Sequence, residues 1–214
     1  MSIIYLLTLM GVAVGAISGA LAAGRKNMDG IGVLILAVVT ALGGGSLRDI
    51  LLGVHPLFWI EDQTYLLLAA GVGLLTMVTS PLWLRLSRSL LVADAVSLAL
   101  FTAMGAEKAL DLNMPGAVVV TMGVITGVAG GIFRDVLTAE VSCLFLKGEL
   151  YTVAAILSVL IVLLLVYLGL AKGPSLWIGT LFCVVIRLCA VRWGWTVPVF
   201  CLQSPRMHKF GEGQ

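Results

Sequence analysis

Ala41-Leu42-Gly43-Gly44-Gly45-Ser46-Leu47-Arg48-Asp49 returns 86 positions downstream as Gly127-Val128-Ala129-Gly130-Gly131-Ile132-Phe133-Arg134-Asp135. Both copies lie inside apolar runs long enough to cross a bilayer, and both place glycines beside an arginine and an aspartate that are costly in hydrocarbon. Consecutive glycines weaken a helix by roughly 1 kcal/mol each, so a kink or unwound turn is expected about halfway along each run. Backbone freed at that depth needs partners from protein or water, which points to a polar path between the copies.

The correspondence extends outward without a gap: 13–51 falls on 99–137 with about a third of the positions identical, including Gly19 with Gly105, Asn27-Met28 with Asn113-Met114, and Thr40 with Thr126. Around it the 214 residues are 60% apolar and 11% charged, with a mean hydropathy of +1.12. That leaves too little polar surface to cover a water-soluble domain. Apolar runs at about 3–23, 31–53, 65–86, 90–109, 115–138, 150–171 and 174–193 predict an all-α membrane protein of seven transmembrane helices, the second and fifth kinked at their glycines. Each copy spans three helices, an odd number, so the second starts on the opposite face. The architecture expected is therefore an inverted 3+3 repeat, 3–86 and 90–171, plus a seventh helix. Residues 1–204 form one membrane domain, and 205–214 form a short polar tail.

Arg25, Lys26, Arg85, Arg88, Lys147, Arg192, Arg206 and Lys209 gather on one side, while the other holds only Lys108 and Lys172 beside Glu61 and Asp62. The first side is expected to be cytoplasmic, with the N-terminus outside and the C-terminus inside. The apolar start, 3–23, lacks a preceding positive charge and takes part in the repeat, so it is read as a helix rather than a signal peptide. A net charge of +2 gives no footprint for nucleic acid.

Arg48, Asp49, Arg134 and Asp135 need pairing or hydration, and Asp94 in the fourth span and Arg187 in the seventh are the further intramembrane charges. Neighbours on a helix point about 100° apart, so Arg48 is expected to look beyond Asp49, to the other repeat or to the first, fourth and seventh helices. Two readings stand. In one, carbonyls at the glycine breaks and the Asp49 and Asp135 carboxylates line a cation path. In the other, the glycines permit close packing and the charges form a buried network that fixes the fold. Gly11, Gly15 and Gly19 read as a packing face. Cys143, Cys183, Cys189 and Cys201 have no metal-ligand spacing, no bound metal or cofactor is implied, and His55 and His208 belong to no catalytic pattern. The chain does not read as an enzyme. Trp59, Trp83, Trp177, Trp193 and Trp195 lie near span ends, as interfacial anchors do.

With its doubled Gly-Gly-x-x-Arg-Asp at this offset within seven spans, the sequence resembles the prokaryotic TRIC (trimeric intracellular cation) channels, a family also labelled a glycine-transporter domain. The resemblance covers nearly the whole chain through the seventh helix. It implies a homotrimer in a bacterial or archaeal inner membrane. Each protomer would carry a pore bounded by the second and fifth helices, at Gly43, Gly44, Gly45, Gly127, Gly130 and Gly131. Potassium or other monovalent cations would pass near Gly44 and Gly130, with membrane lipid as the surrounding partner. The animal relatives carry a lysine-glutamate-valine signature in the second helix; here glycines and Arg48-Asp49 stand instead. A secondary transporter of a small zwitterion such as glycine is the alternative, since carriers also use inverted repeats with broken helices.

Overall fold

The computed structural model describes residues 3–79, 89–140, 151–193 and 195, and among these every regular element is helical. Eight helices follow in order: α1 (Ile3–Arg25), α2 (Gly30–Leu51), α3 (Phe58–Glu61), α4 (Thr64–Val78), α5 (Ser89–Asp111), α6 (Gly116–Leu137), α7 (Tyr151–Tyr167) and α8 (Lys172–Trp193). Five contain segments long and apolar enough to cross a membrane: Tyr5–Arg25, Gly30–Leu51, Leu90–Asp111, Gly116–Leu137 and Lys172–Trp193. Thr64–Val78 and Tyr151–Tyr167 are shorter apolar helices. The four-residue α3 lies where the sequence suggested only a loop.

The helix ends repeat as faithfully as the glycine motif. Asn27 ends α1 in the left-handed region at φ 53°, and Asn113 ends α5 at the same angle. Beyond each, Met28 N–H donates to Ala23 O and Met114 N–H donates to Ala109 O. Asp29 then caps α2 by accepting from Gly32 N–H at 2.7 Å, a role that Pro115 takes at α6 without a side-chain bond. At the far ends, Gly53 (φ 67°) and Ala139 (φ 53°) hold equivalent left-handed positions. Alanine is the poorer residue there, because its Cβ crowds the carbonyl. Ala139→Gly is expected to stabilise the fold by about 0.5–1 kcal/mol, read as a rise of roughly 2–3 °C in thermal melting; an unchanged or lower midpoint contradicts this.

Two three-helix units share this plan. In the first, Val12, Ala20, Ala23, Val33 and Ala37 are buried between α1, α2 and α4. In the second, Ala106, Ala109 and Val119 fill the matching places between α5 and α6, with Val159 of α7 closing the layer. Small side chains dominate because lipid offers no hydrophobic drive between helices, so close van der Waals packing must hold them together. The three glycines on α1 behave accordingly: Gly11 abuts Met104, Gly15 abuts Phe101 and Ala41, and Gly19 lies on the Leu36 carbonyl. A side chain at Gly19 would meet that oxygen at 2.6 Å, and one at Gly105 would meet Met122 O at 2.5 Å, the same contact moved by 86 residues.

The units join through α1 against α5 and α2 against α6. Gly11 lies by Met104 and Ser18 by Asp94, so α1 and α5 run in opposite directions. Helix α5 occupies the middle, with 72% of its apolar window buried, against 39–61% for the other four long helices. Helix α8 stands outside the repeat and packs on α5 and α7, where Ser158 Oγ donates to Gly179 O at 2.9 Å.

Candidate functional site

The glycine runs do not unwind. Helix α2 is uninterrupted from Gly30 to Leu51, and α6 from Gly116 to Leu137, so the expected break takes another form. A Cβ at Gly44 would overlap the Thr126 carbonyl oxygen, and one at Gly130 would stand 2.6 Å from the Thr40 carbonyl oxygen. These contacts are images of each other, since Thr126 matches Thr40 and Gly130 matches Gly44. They fix α2 and α6 as antiparallel helices touching backbone to backbone near their centres. The flanking glycines make room as well: Gly43 for the Phe133 ring, Gly45 for the Phe58 ring, Gly127 for the Thr102 hydroxyl. Gly131 faces the Tyr151 hydroxyl and Asp94. Missing side chains at this crossing serve contact between the helices; each keeps its own hydrogen bonds.

The charges lie further along, in the last turn of each helix rather than at the midplane. Arg48 is about six residues beyond the crossing on α2 and Arg134 about six beyond it on α6, which separates them by roughly 18 Å along antiparallel axes. Arg48 Nε donates to Asp49 Oδ1 at 2.8 Å, and its Nη2 reaches the same oxygen at 2.7 Å. Arg134 repeats this on Asp135 Oδ1 at 2.8 and 2.7 Å. The expectation that Arg48 would pass over Asp49 is therefore wrong. The 100° between neighbouring Cβ directions is overcome by the length of the arginine stem and the breadth of its planar fork.

Each pair then differs in its wider partners. The other Asp49 oxygen accepts from Phe58 N–H at 3.0 Å, and the Phe58 ring lies under the Arg48 guanidinium at 5.5 Å. Helix α3 thus closes over the first pair. Arg134 Nη1 donates to Asp94 Oδ1 at 2.6 Å and to Ser18 Oγ at 2.7 Å, partners on the fourth and first spans as the sequence suggested. Arg187 of α8 lies over the Tyr151 ring at 4.7 Å. The structure brings Asp94, Arg134, Asp135 and Gly131 together at one end and Arg48, Asp49 and Gly45 at the other.

Surface contacts sort the helix ends onto two faces. Lys26 Nζ meets Glu140 at 2.8 Å on one face, and this bond holds the Glu140 carboxyl below the usual range. On the other, Tyr5 donates to Asp62 at 3.2 Å and Lys172 meets Asp111 at 2.9 Å. The Thr64 hydroxyl and then its amide lower the Asp62 pKa. This grouping agrees with the expected division of charged loops, so far as those loops are described; Arg85, Arg88, Lys147, Arg206 and Lys209 lie outside the described residues, as do Trp83, Cys143, Cys201, His208 and the tail.

The sequence reading left Glu107, inside the run 90–109, out of the intramembrane charges; it is 7% exposed on α5. The signal was there: Ala99, Ala103, Ala106 and Ala109 continue the helical packing pattern past it. Phe58 and Tyr151 were also missed, each covering an arginine. An apolar cavity of about 340 Å³ lies beside the crossing, between Val38, Leu42, Trp59, Leu66 and Phe133. Its one hydroxyl, Ser46, already donates to Leu42 O and accepts from Trp59 Nε1, which leaves fewer than the two partners a bound water needs.

The family model described as Glycine transporter matches this chain twice, over residues 5–81 and 91–167, at the 86-residue offset seen in the sequence. A UPF0126 membrane protein of Vibrio cholerae is 42% identical over 94% of this chain and 84% of its own length. The UPF0126 inner membrane protein YadS of Escherichia coli K12 is 41% identical over 94% of this chain and 98% of its own. Among solved structures, the TRIC trimeric intracellular cation channel orthologue from Rhodobacter sphaeroides superposes with a TM-score of 0.86 at 36% identity, covering 91% of this chain and all of that one. The chain belongs to the TRIC family. The two matches of the family model coincide with α1, α2 and α4 and with α5, α6 and α7 of this TRIC chain, leaving α8 outside both.

Proposed function

We propose that this protein is a monovalent cation channel of the bacterial inner membrane, conducting chiefly potassium through a pore in each protomer of a homotrimer. The carrying observation is the likeness to the Rhodobacter sphaeroides channel orthologue over essentially the full length of both chains. The charge balance supports cations: among the described residues the buried charged ones are four carboxylates, Asp49, Asp94, Glu107 and Asp135, against three arginines, Arg48, Arg134 and Arg187.

In this reading seven spans form an inverted 3+3 repeat, 3–86 and 90–171, with a seventh helix and the polar tail 205–214 completing one membrane domain. The N-terminus lies outside and the C-terminus inside. Helices α2 and α6 bound the pore, and Gly43, Gly44, Gly45, Gly127, Gly130 and Gly131 let them part. Backbone contact at Gly44 and Gly130 makes the present conformation a closed one, so potassium passes those glycines only when the helices separate. The Arg48–Asp49 and Arg134–Asp94–Asp135 groups mark the two ends of the path, with Arg187 behind the second.

The description of the family model favours one other reading, a secondary transporter of glycine. Proteoliposomes separate the two. A channel lets potassium equilibrate passively, without saturation and unaffected by glycine. Concentrative, saturable uptake of labelled glycine, competed by unlabelled glycine, would replace the channel with the carrier.

A further inference from the structure

We propose that α3 is a lid on the Arg48 end of the path, latched shut onto α2 by Phe58 and Trp59 and released when the path opens; the role rests on the channel reading above. The lid is small and lightly held. None of its four residues is buried, and its first turn has no side-chain cap from Leu57, so Asp49 Oδ2 stands in by accepting from Phe58 N–H at 3.0 Å. Segments with little buried surface and few hydrogen bonds open at the lowest free energies in a fold. At the other end of the path Arg134 is held instead by Asp94 and Ser18, side chains of the long helices α5 and α1.

The latch reaches the glycine run itself. A Cβ at Gly45 would stand 2.5 Å from the Phe58 ring, so that ring fills the place of a missing side chain one residue from the crossing at Gly44. Gly43, one residue to the other side, leaves the same room for Phe133 of α6. Trp59 Nε1 donates to Ser46 Oγ at 2.9 Å, a second tie between α3 and α2 within one turn of the crossing. The lid is also tied to two further helices. Tyr5 of α1 donates to Asp62 at 3.2 Å, and the Tyr65 ring of α4 lies 5.3 Å from that of Phe58. The cavity of about 340 Å³ lies against Trp59 and Phe133 and leaves both rings room to turn. Release of the two ties to α2 uncovers the Arg48–Asp49 pair and frees the end of α2 beyond Gly45 to move.

The test is single-channel recording of potassium current from wild-type protein, Trp59→Phe and Ser46→Ala in planar bilayers, paired with amide hydrogen exchange over residues 57–62 in the same preparations. Trp59→Phe keeps an aromatic ring and removes the donor. It is expected to raise the ratio of open to closed time about fivefold, the effect of one lost hydrogen bond, to leave unitary conductance unchanged, and to speed exchange at Phe58. Ser46→Ala removes the acceptor and is expected to do the same, with little further gain in the double variant. A wild-type ratio in both single variants overturns the role, whatever their melting points, because a merely structural tie changes stability alone. A raised ratio with wild-type exchange at Phe58 overturns it as well, since the lid would not have moved. Should Trp59→Phe fail to assemble, Ser46→Ala decides alone. Absence of current from folded wild-type protein removes the channel reading and the lid's role together, a result distinct from conduction indifferent to positions 46 and 59.

Discussion

Asp49→Ala is expected to cost the fold about 3–5 kcal/mol, the range for removing one partner of a buried ion pair. Arg48 is almost wholly buried, and among the described residues its ion pair is to Asp49 alone, through both Nε and Nη2. The same substitution leaves the Phe58 amide without its acceptor, loosening the short helix that covers the arginine. Asp135→Ala is expected to cost less, because Arg134 keeps Asp94 at 2.6 Å and the Ser18 hydroxyl at 2.7 Å. Thermal melting of the detergent-solubilised protein, followed by size exclusion, ranks the two. Equal losses, or a larger loss for Asp135→Ala, would show that Arg48 has support the geometry does not reveal.

The second large effect lies at the helix crossing. Gly44→Ala places a methyl group onto the Thr126 carbonyl, and Gly130→Ala places one onto the Thr40 carbonyl. The opposing atoms are backbone and cannot rotate away, so α2 and α6 must move apart, at about 1–3 kcal/mol for either change. Both changes widen one interface, so the double variant is expected to lose less than the sum. Gly71→Ala on α4 is the control, since nothing lies within 4 Å of its added methyl and alanine is the better helix former. Melting points of the four variants test this; a crossing variant as stable as Gly71→Ala would mean that the contact yields without cost.

Much of this arrangement was legible in the sequence, because it rests on features that repeat. Asn27 and Asn113, Gly19 and Gly105, Thr40 and Thr126, and the two Arg-Asp pairs hold equivalent places in space as they do in the chain. What failed depended on side-chain reach and on context. Glycine pairs carry the same letters whether a helix unwinds or lies against another backbone, and only the opposing Thr40 and Thr126 carbonyls decide it. Cβ directions misjudged Arg48, whose guanidinium folds back a long way from its own Cβ. Lys108 reads as a loop residue because a charge normally marks the end of a span, yet α5 continues to Asp111 and buries the neighbouring Glu107.

The most direct test of the central claim is a planar-bilayer recording from purified, folded trimer under a potassium gradient. Discrete unitary currents that reverse at the potassium equilibrium potential are the expected result. Bilayers that stay silent with verified trimer present would contradict the channel.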